Sequence, residues 1–156
     1  MPEPYAPPVQ RQPFEDYRPY RVARIVQMSD GDATVHFVRD ISDKLEGSWR
    51  WTQQRPAVRV RVRTNEHVKY TIDFTLPEVT FRDTGPVTLS FFVNDHLLDR
   101  VPYQSSGPLH FEKPVPAEWV APDQDAILAA EIDKMWVSKE DGTRLGFILT
   151  RIGLTQ

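Results

Sequence analysis

Four arginines fall within nine residues, at Arg55, Arg59, Arg61 and Arg63. Guanidinium forks match the paired oxygens of carboxylate, phosphate or sulfate, so the run could hold an anionic polymer or an acidic partner. Period-two spacing sets Arg59, Arg61 and Arg63 on one face of a strand, with Val58, Val60 and Val62 on the other. The opposite register would expose three branched side chains and bury three unpaired charges, so the valines must face inward. The alternative to an anion site is a solvent face balanced by acids on neighbouring strands, such as Asp73 and Glu131. We read the face in that second way. A balanced face gives each arginine a carboxylate neighbour; an anion-binding face leaves at least two without one, lining a groove.

The aromatics offer a second chemistry, stacking against the apolar face of a sugar ring. Trp49 and Trp51 share a face of any strand that contains them. Exposed, they form a flat platform; buried, they plug the space between two sheets. Tryptophan averages high burial, and Leu45 and Val58 flank the pair, so a core role is expected. Trp119 follows Pro116 in an expected loop, and Tyr103 precedes Ser105-Ser106-Gly107, so both are expected to be accessible. Beside Asn94, Asp95 and His96 they would supply stacking and partners for hydroxyl groups. The candidate ligand-binding residues are therefore Trp119, Tyr103, Asn94, Asp95 and His96, with Arg59, Arg61 and Arg63.

Other chemistries find little support. There is no Gly-x-Ser-x-Gly elbow, and the seven glycines are scattered as turn and strand-end residues rather than gathered in a phosphate-binding loop. The absence of cysteine excludes thiolate metal sites, iron–sulfur clusters and cysteine nucleophiles. His36, His67, His96 and His110 lack the short spacing of ligand pairs and read as surface or satisfied core residues. Asp30 and Asp32 offer two carboxylates where calcium takes about six to eight oxygens, so they read as a turn. Twenty-two acidic residues single out no glycosidase pair. No catalytic residue, metal or cofactor is expected. A net charge of −3 argues against a general nucleic-acid binder.

The elements that must position these residues are short strands. Residues 1–20 carry six of the fourteen prolines and no alternation, and read as an extended, polyproline-like arm. Its Tyr5, Phe14, Tyr17 and Tyr20 could contact its own domain or a protein partner. Residues 21–156 form the second unit, a β-sandwich domain. Val22–Met28 and Ala33–Val38, joined through Asp30-Gly31, are expected to pair as a hairpin. Alternating runs follow at 57–63, 68–76 and 87–93, and Asn94-Asp95 turns the last into His96-Leu97-Leu98. Ala126–Trp136 and Arg144–Leu154 around Asp141-Gly142 are expected to form a closing hairpin, with long loops over 76–87 and 101–126. Many short strands, long crossings and no long amphipathic helix predict an all-β, jelly-roll-type antiparallel sandwich. No stretch is apolar enough to insert in a membrane, and no secretory leader is visible, so the default expectation is cytoplasmic.

Several strings carry a family resemblance: Gly47-Ser48-Trp49-Arg50-Trp51-Thr52, Val93-Asn94-Asp95, Pro114-Val115-Pro116, Arg144-Leu145-Gly146-Phe147 and Ile152-Gly153-Leu154. In order, over roughly residues 35–154, the chain resembles small bacterial jelly-roll domains found beside glycosyltransferases and in polysaccharide biosynthesis proteins, which look like carbohydrate-binding modules. The resemblance implies that the Arg-Trp pair and the final Leu-Gly strand are architectural. It also implies a non-catalytic, carbohydrate-binding-like or polysaccharide-associated module with a glycan as partner. The alternative is a structural or assembly subunit that uses residues 1–20 and its sheet edges for protein contacts. An enzyme on a similar sandwich ranks below both.

Overall fold

The computed structural model describes residues 22–156; the arm expected over residues 1–20 lies outside the described residues. Eleven strands and one short helix follow in order: β1 (Ile25–Gln27), β2 (Phe37–Ile41), β3 (Arg50–Arg61), β4 (Lys69–Leu76), α1 (Glu78–Thr84), β5 (Val87–Val93), β6 (His96–Tyr103), β7 (Gly107–Pro114), β8 (Asp125–Ile132), β9 (Trp136–Val137), β10 (Arg144–Leu145) and β11 (Ile148–Thr155). One sheet runs β6-β5-β8-β3-β2, and the other sets β4 between β7 and β11, with β1 beyond β11. β3 belongs to both. Its Arg50 and Trp51 pair with Leu149 and Ile148 of β11, while Ala57–Arg61 pair with Ala129–Asp125 of β8.

Alternation accounts for the core. Val58, Val60 and Val62 are 0%, 0% and 2% exposed, so the expected β3 register holds. Tyr70, Ile72, Phe74 and Leu76 of β4, and Val87, Leu89, Phe91 and Val93 of β5, are likewise buried. Each such side chain contributes about 1.5–3 kcal/mol when fully buried. The sheets meet face to face: Phe91 stacks on Phe111 of β7 at 4.0 Å, and the Tyr70 hydroxyl crosses the sandwich to donate to the Ala129 carbonyl at 2.9 Å. Burial pushes that hydroxyl's pKa far above the ordinary tyrosine value. Asn94 and Asp95 take φ of 48° and 70°, the paired positive values of a tight hairpin turn between β5 and β6.

Three local expectations are corrected. Asp30-Gly31 does not close a hairpin: Ala33–His36 is a 3-10 turn, β1 pairs with β11 and β2 with β3. His36 draws this segment inward, because its buried ring accepts the Ala23 N–H at 2.9 Å through Nε2 and donates to the Asp32 carbonyl at 3.3 Å through Nδ1. The closing hairpin shrinks to two residue pairs, Trp136 with Leu145 and Val137 with Arg144. Both edges of β8 are already occupied by β3 and β5, so β11 crosses to the other sheet. The expected long loops contain α1 and an edge strand, β7, which runs for 8 residues from Gly107 to Pro114. Its bounding prolines are tolerated at an edge, where ladder donors are not all needed.

Candidate functional site

The site grows from one inversion at the start of β3. Arg50 is only 5% exposed and points inward, its Nε donating to the Met28 carbonyl at 3.1 Å. Its Nη1 donates to the carbonyls of Ser42 at 3.1 Å and Asp43 at 2.7 Å, and the guanidinium lies 5.2 Å from the Phe37 ring centre. Thr52 is buried too, its hydroxyl accepting the Phe147 N–H at 3.1 Å. With Arg50 and Thr52 turned inward, the strand period turns Trp49 and Trp51 outward. Both are half-buried and neither belongs to the core, which corrects the expected core plug. Here the buried residue is the arginine, because its fork reaches three backbone carbonyls, those of Met28, Ser42 and Asp43.

Trp51 is the hub of an aromatic group. Trp49 meets it edge-on at 6.0 Å, and Trp136 of β9 stacks on it at 6.1 Å with 28° between planes. The Trp136 indole N–H donates to the Asp83 carboxylate of α1 at 2.7 Å, tying the short β9–β10 hairpin to the helix. Trp51 opens on a groove of about 540 Å³. One side is formed by Asp40–Lys44, at the end of β2 and the following loop. Thr52 and Gln53 line it from β3, and Ser138, Asp141, Thr143 and Leu145 from the β9–β10 hairpin. Gly146 lets the hairpin lie this close, since a Cβ there would run into the Gln53 carbonyl. Asp40 sits at φ 59°, where the β2–β3 register shifts, and its carboxylate accepts the Arg55 N–H at 3.0 Å. Asp141 is held below the usual carboxylate range by hydrogen bonds from Thr143, its backbone N–H first. A tryptophan wall with surrounding carboxylates, hydroxyls and an amide is an arrangement that can stack a sugar ring and bond its hydroxyls.

The sequence-based candidates gather elsewhere, and only in part. At the opposite end of β3, the His96 ring stacks on Trp119 at 4.7 Å. Asn94 lies beside them with its amide donating to the Trp119 carbonyl and its oxygen accepting the Ile127 N–H, both at 2.7 Å. Asn94 thereby fastens the turn. Asp95 stands 3.8 Å from Arg55, whose guanidinium lies 4.5 Å from the Phe92 ring centre. Tyr103 is at the far end of β6 from His96, half-buried and edge-on to Phe74 at 5.6 Å, with burial raising its hydroxyl pKa.

Arg59, Arg61 and Arg63 face outward as expected, but their balancing acids are not those expected. Arg61 pairs with Asp125 at 2.7 Å. Asp73 lies on β4 of the other sheet, bonded to Arg151 at 2.9 Å and His110 at 2.6 Å. Among the described residues neither Arg59 nor Arg63 has a carboxylate within 4.0 Å, and the Arg59 Nε is buried without a partner. Arg61 and Arg63 line a groove of about 420 Å³ with Arg24, Asp123 and Gln156.

The sequence reading missed Trp136 and the β9–β10 wall. The available signal was a tryptophan just before an Asp-Gly turn, in a segment read as a strand continuing from β8. No helix among the described residues is long and apolar enough to cross a membrane.

No protein-family model and no curated protein matches the sequence. Among solved structures, the chain is similar to a family 35 carbohydrate-binding module from an environmental isolate, at 11% identity and TM-score 0.50, covering 85% of this chain and 92% of that one. It is also similar to a family 35 module from Clostridium thermocellum, at 9% identity and TM-score 0.48, covering 85% and 96%. A third is a family 35 module in complex with a glucuronic-acid-containing disaccharide, at 10% identity and TM-score 0.45, covering 86% and 94%. The first likeness carries the fold alone: this chain is a jelly-roll β-sandwich, as that module is.

Proposed function

We propose that the protein is a non-catalytic carbohydrate-binding module and that its glycan site is the Trp51 groove. The observation that carries this reading is the outward turn of Trp51, backed by Trp136 and bordered by polar groups from both neighbouring segments. The module fold supports it as an analogy. The test is a glycan array followed by calorimetric titration of the strongest hit. Trp51→Ala removes a central aromatic contact and is expected to cost about 2 kcal/mol, roughly 30-fold in affinity. Trp119→Ala serves as the rival, because Trp119 stacks on His96 beside Asn94, away from the Trp51 groove. Glycan binding lost with Trp119 and kept without Trp51 moves the site to the other end of the sandwich.

A second reading has its own observation. Arg59 and Arg63 lack carboxylate partners among the described residues, and Arg63 lines a groove. This supports contact between that face and an anionic chain. Retention on heparin that falls steeply with salt and is reduced by Arg63→Ala supports it; retention unchanged by Arg63→Ala removes it.

A further inference from the structure

Resting on the Trp51 groove as the glycan site, we propose that this groove selects glycans bearing free amino groups, such as glucosamine oligomers, over their N-acetylated counterparts. The groove's lining carries three carboxylates, Asp40, Asp43 and Asp141, against one ammonium, Lys44. That ammonium lies 3.6 Å from Glu46, so its charge is already shared. The neighbouring arginines are turned to other partners. Arg50 is buried against three backbone carbonyls, and Arg55 lies over Phe92 and towards Asp95. Arg144 opens instead on an adjoining groove that shares Asp40 and Gln53 with this one.

The acids also stand on both sides of the tryptophan. Asp40 and Asp43 come from the β2 side, Asp141 from the β9–β10 hairpin, and β3 runs between, bonded to Ser42 at one edge and to Phe147 at the other. A sugar stacked on Trp51 therefore has carboxylates of the lining on both flanks, with Asp40 also accepting the Arg55 N–H and Asp141 the Thr143 N–H. Hydrogen bonds from Thr143 keep Asp141 ionised into the acid range, where a glucosamine amine is fully protonated. A charge-assisted N–H to carboxylate bond is about twice as strong as a neutral one, and an acetamide forfeits it.

The test titrates glucosamine and N-acetylglucosamine hexamers against the full chain by calorimetry, at low and high salt. The expected result is a preference for the amino form on the order of tenfold at low salt. That ratio should collapse near 1 M salt, where the Debye length falls to about 3 Å. Asp43→Asn with Asp141→Asn, which leaves Asp40 as the one carboxylate of the lining, should bring the low-salt ratio most of the way to one. Equal affinities, or tighter binding of the acetylated hexamer, overturn the amino-sugar inference and leave the glycan site standing. Amino-hexamer binding that survives Trp51→Ala overturns it as well, because the attraction is then to the acidic surface at large. If neither hexamer binds and the array is blank, the glycan reading fails and takes this inference with it.

Discussion

Replacing Arg50 perturbs both the fold and the groove, and the size of each effect follows from its contacts. Arg50→Ala removes three donors to carbonyls at 3.1, 3.1 and 2.7 Å and the cover over Phe37. A hydrogen bond from a charged donor contributes about 1.5–3 kcal/mol, but the three share one side chain, and the Asp43 carbonyl regains water when released. The expected loss is therefore about 3–4 kcal/mol, a large share of the roughly 5–15 kcal/mol of an ordinary domain. For a chain of this size that lowers Tm by roughly 6–16 °C, measurable by calorimetry or urea titration. Arg50→Lys keeps the charge but places it at a single point, so it recovers only part of the loss. Because Ser42 and Asp43 line the groove, Arg50→Ala should also weaken glycan binding at temperatures where the variant is still folded. A stability change under about 1 kcal/mol, or an Arg50→Lys variant equal to wild type, refutes the claim that this buried fork fastens the loop.

Other perturbations have definite signs. His110 lies between Asp73 and Glu112 at 2.6 and 3.2 Å, and the Asp73 bond, then the Glu112 bond, raise its pKa. Its folded pKa lies above the unfolded value of about 6.5, so its contribution is complete below that pH and is lost as pH rises through the folded value. Urea titrations from pH 5 to 9 should show this slope, and Asp73→Asn should flatten it; an unchanged slope counts against the pairing. Arg61→Ala breaks one exposed bridge to Asp125 and should change stability by less than about 1 kcal/mol, read by the same titration. A larger loss means that Arg61 carries weight the geometry does not show. Gly153→Ala would set a Cβ 2.5 Å from the Ile25 Cα and 2.6 Å from the Arg24 carbonyl, prising β1 from β11. A loss of about 1–3 kcal/mol is expected, and a neutral variant would show that β1 yields easily.

Much of the sandwich was legible because its strands are half-buried and alternate. Val58, Val60 and Val62 declare the inner face of β3, and Asn94-Asp95 declares the β5–β6 turn, since both readings depend only on local sterics and burial. The pairing partners were not legible. Asp30-Gly31 looks like a hairpin turn until a buried histidine is known to hold Ala33–His36 inward, a long-range effect with no local mark. The candidate site was less legible still. Trp49-Arg50-Trp51 assigns tryptophan to the core by ordinary burial preference, and only the pairing of Arg50 with the carbonyls of Met28, Ser42 and Asp43 reverses that choice. Trp136 joins Trp51 from 85 residues away, through a stack that no spacing rule anticipates. Likewise, the partners of Asn94 and His96, the Trp119 carbonyl and ring and the Ile127 N–H, come from distant segments and leave no local mark.

The most direct measurement follows the four tryptophan indole N–H resonances by nuclear magnetic resonance while an array-positive glycan is added. Trp51 and Trp136 should shift in proportion to occupancy, and the Trp119 signal should stay in place. Movement of Trp119 alone, with Trp51 and Trp136 unmoved at saturation, would contradict the account and place the glycan at the other end of the sandwich.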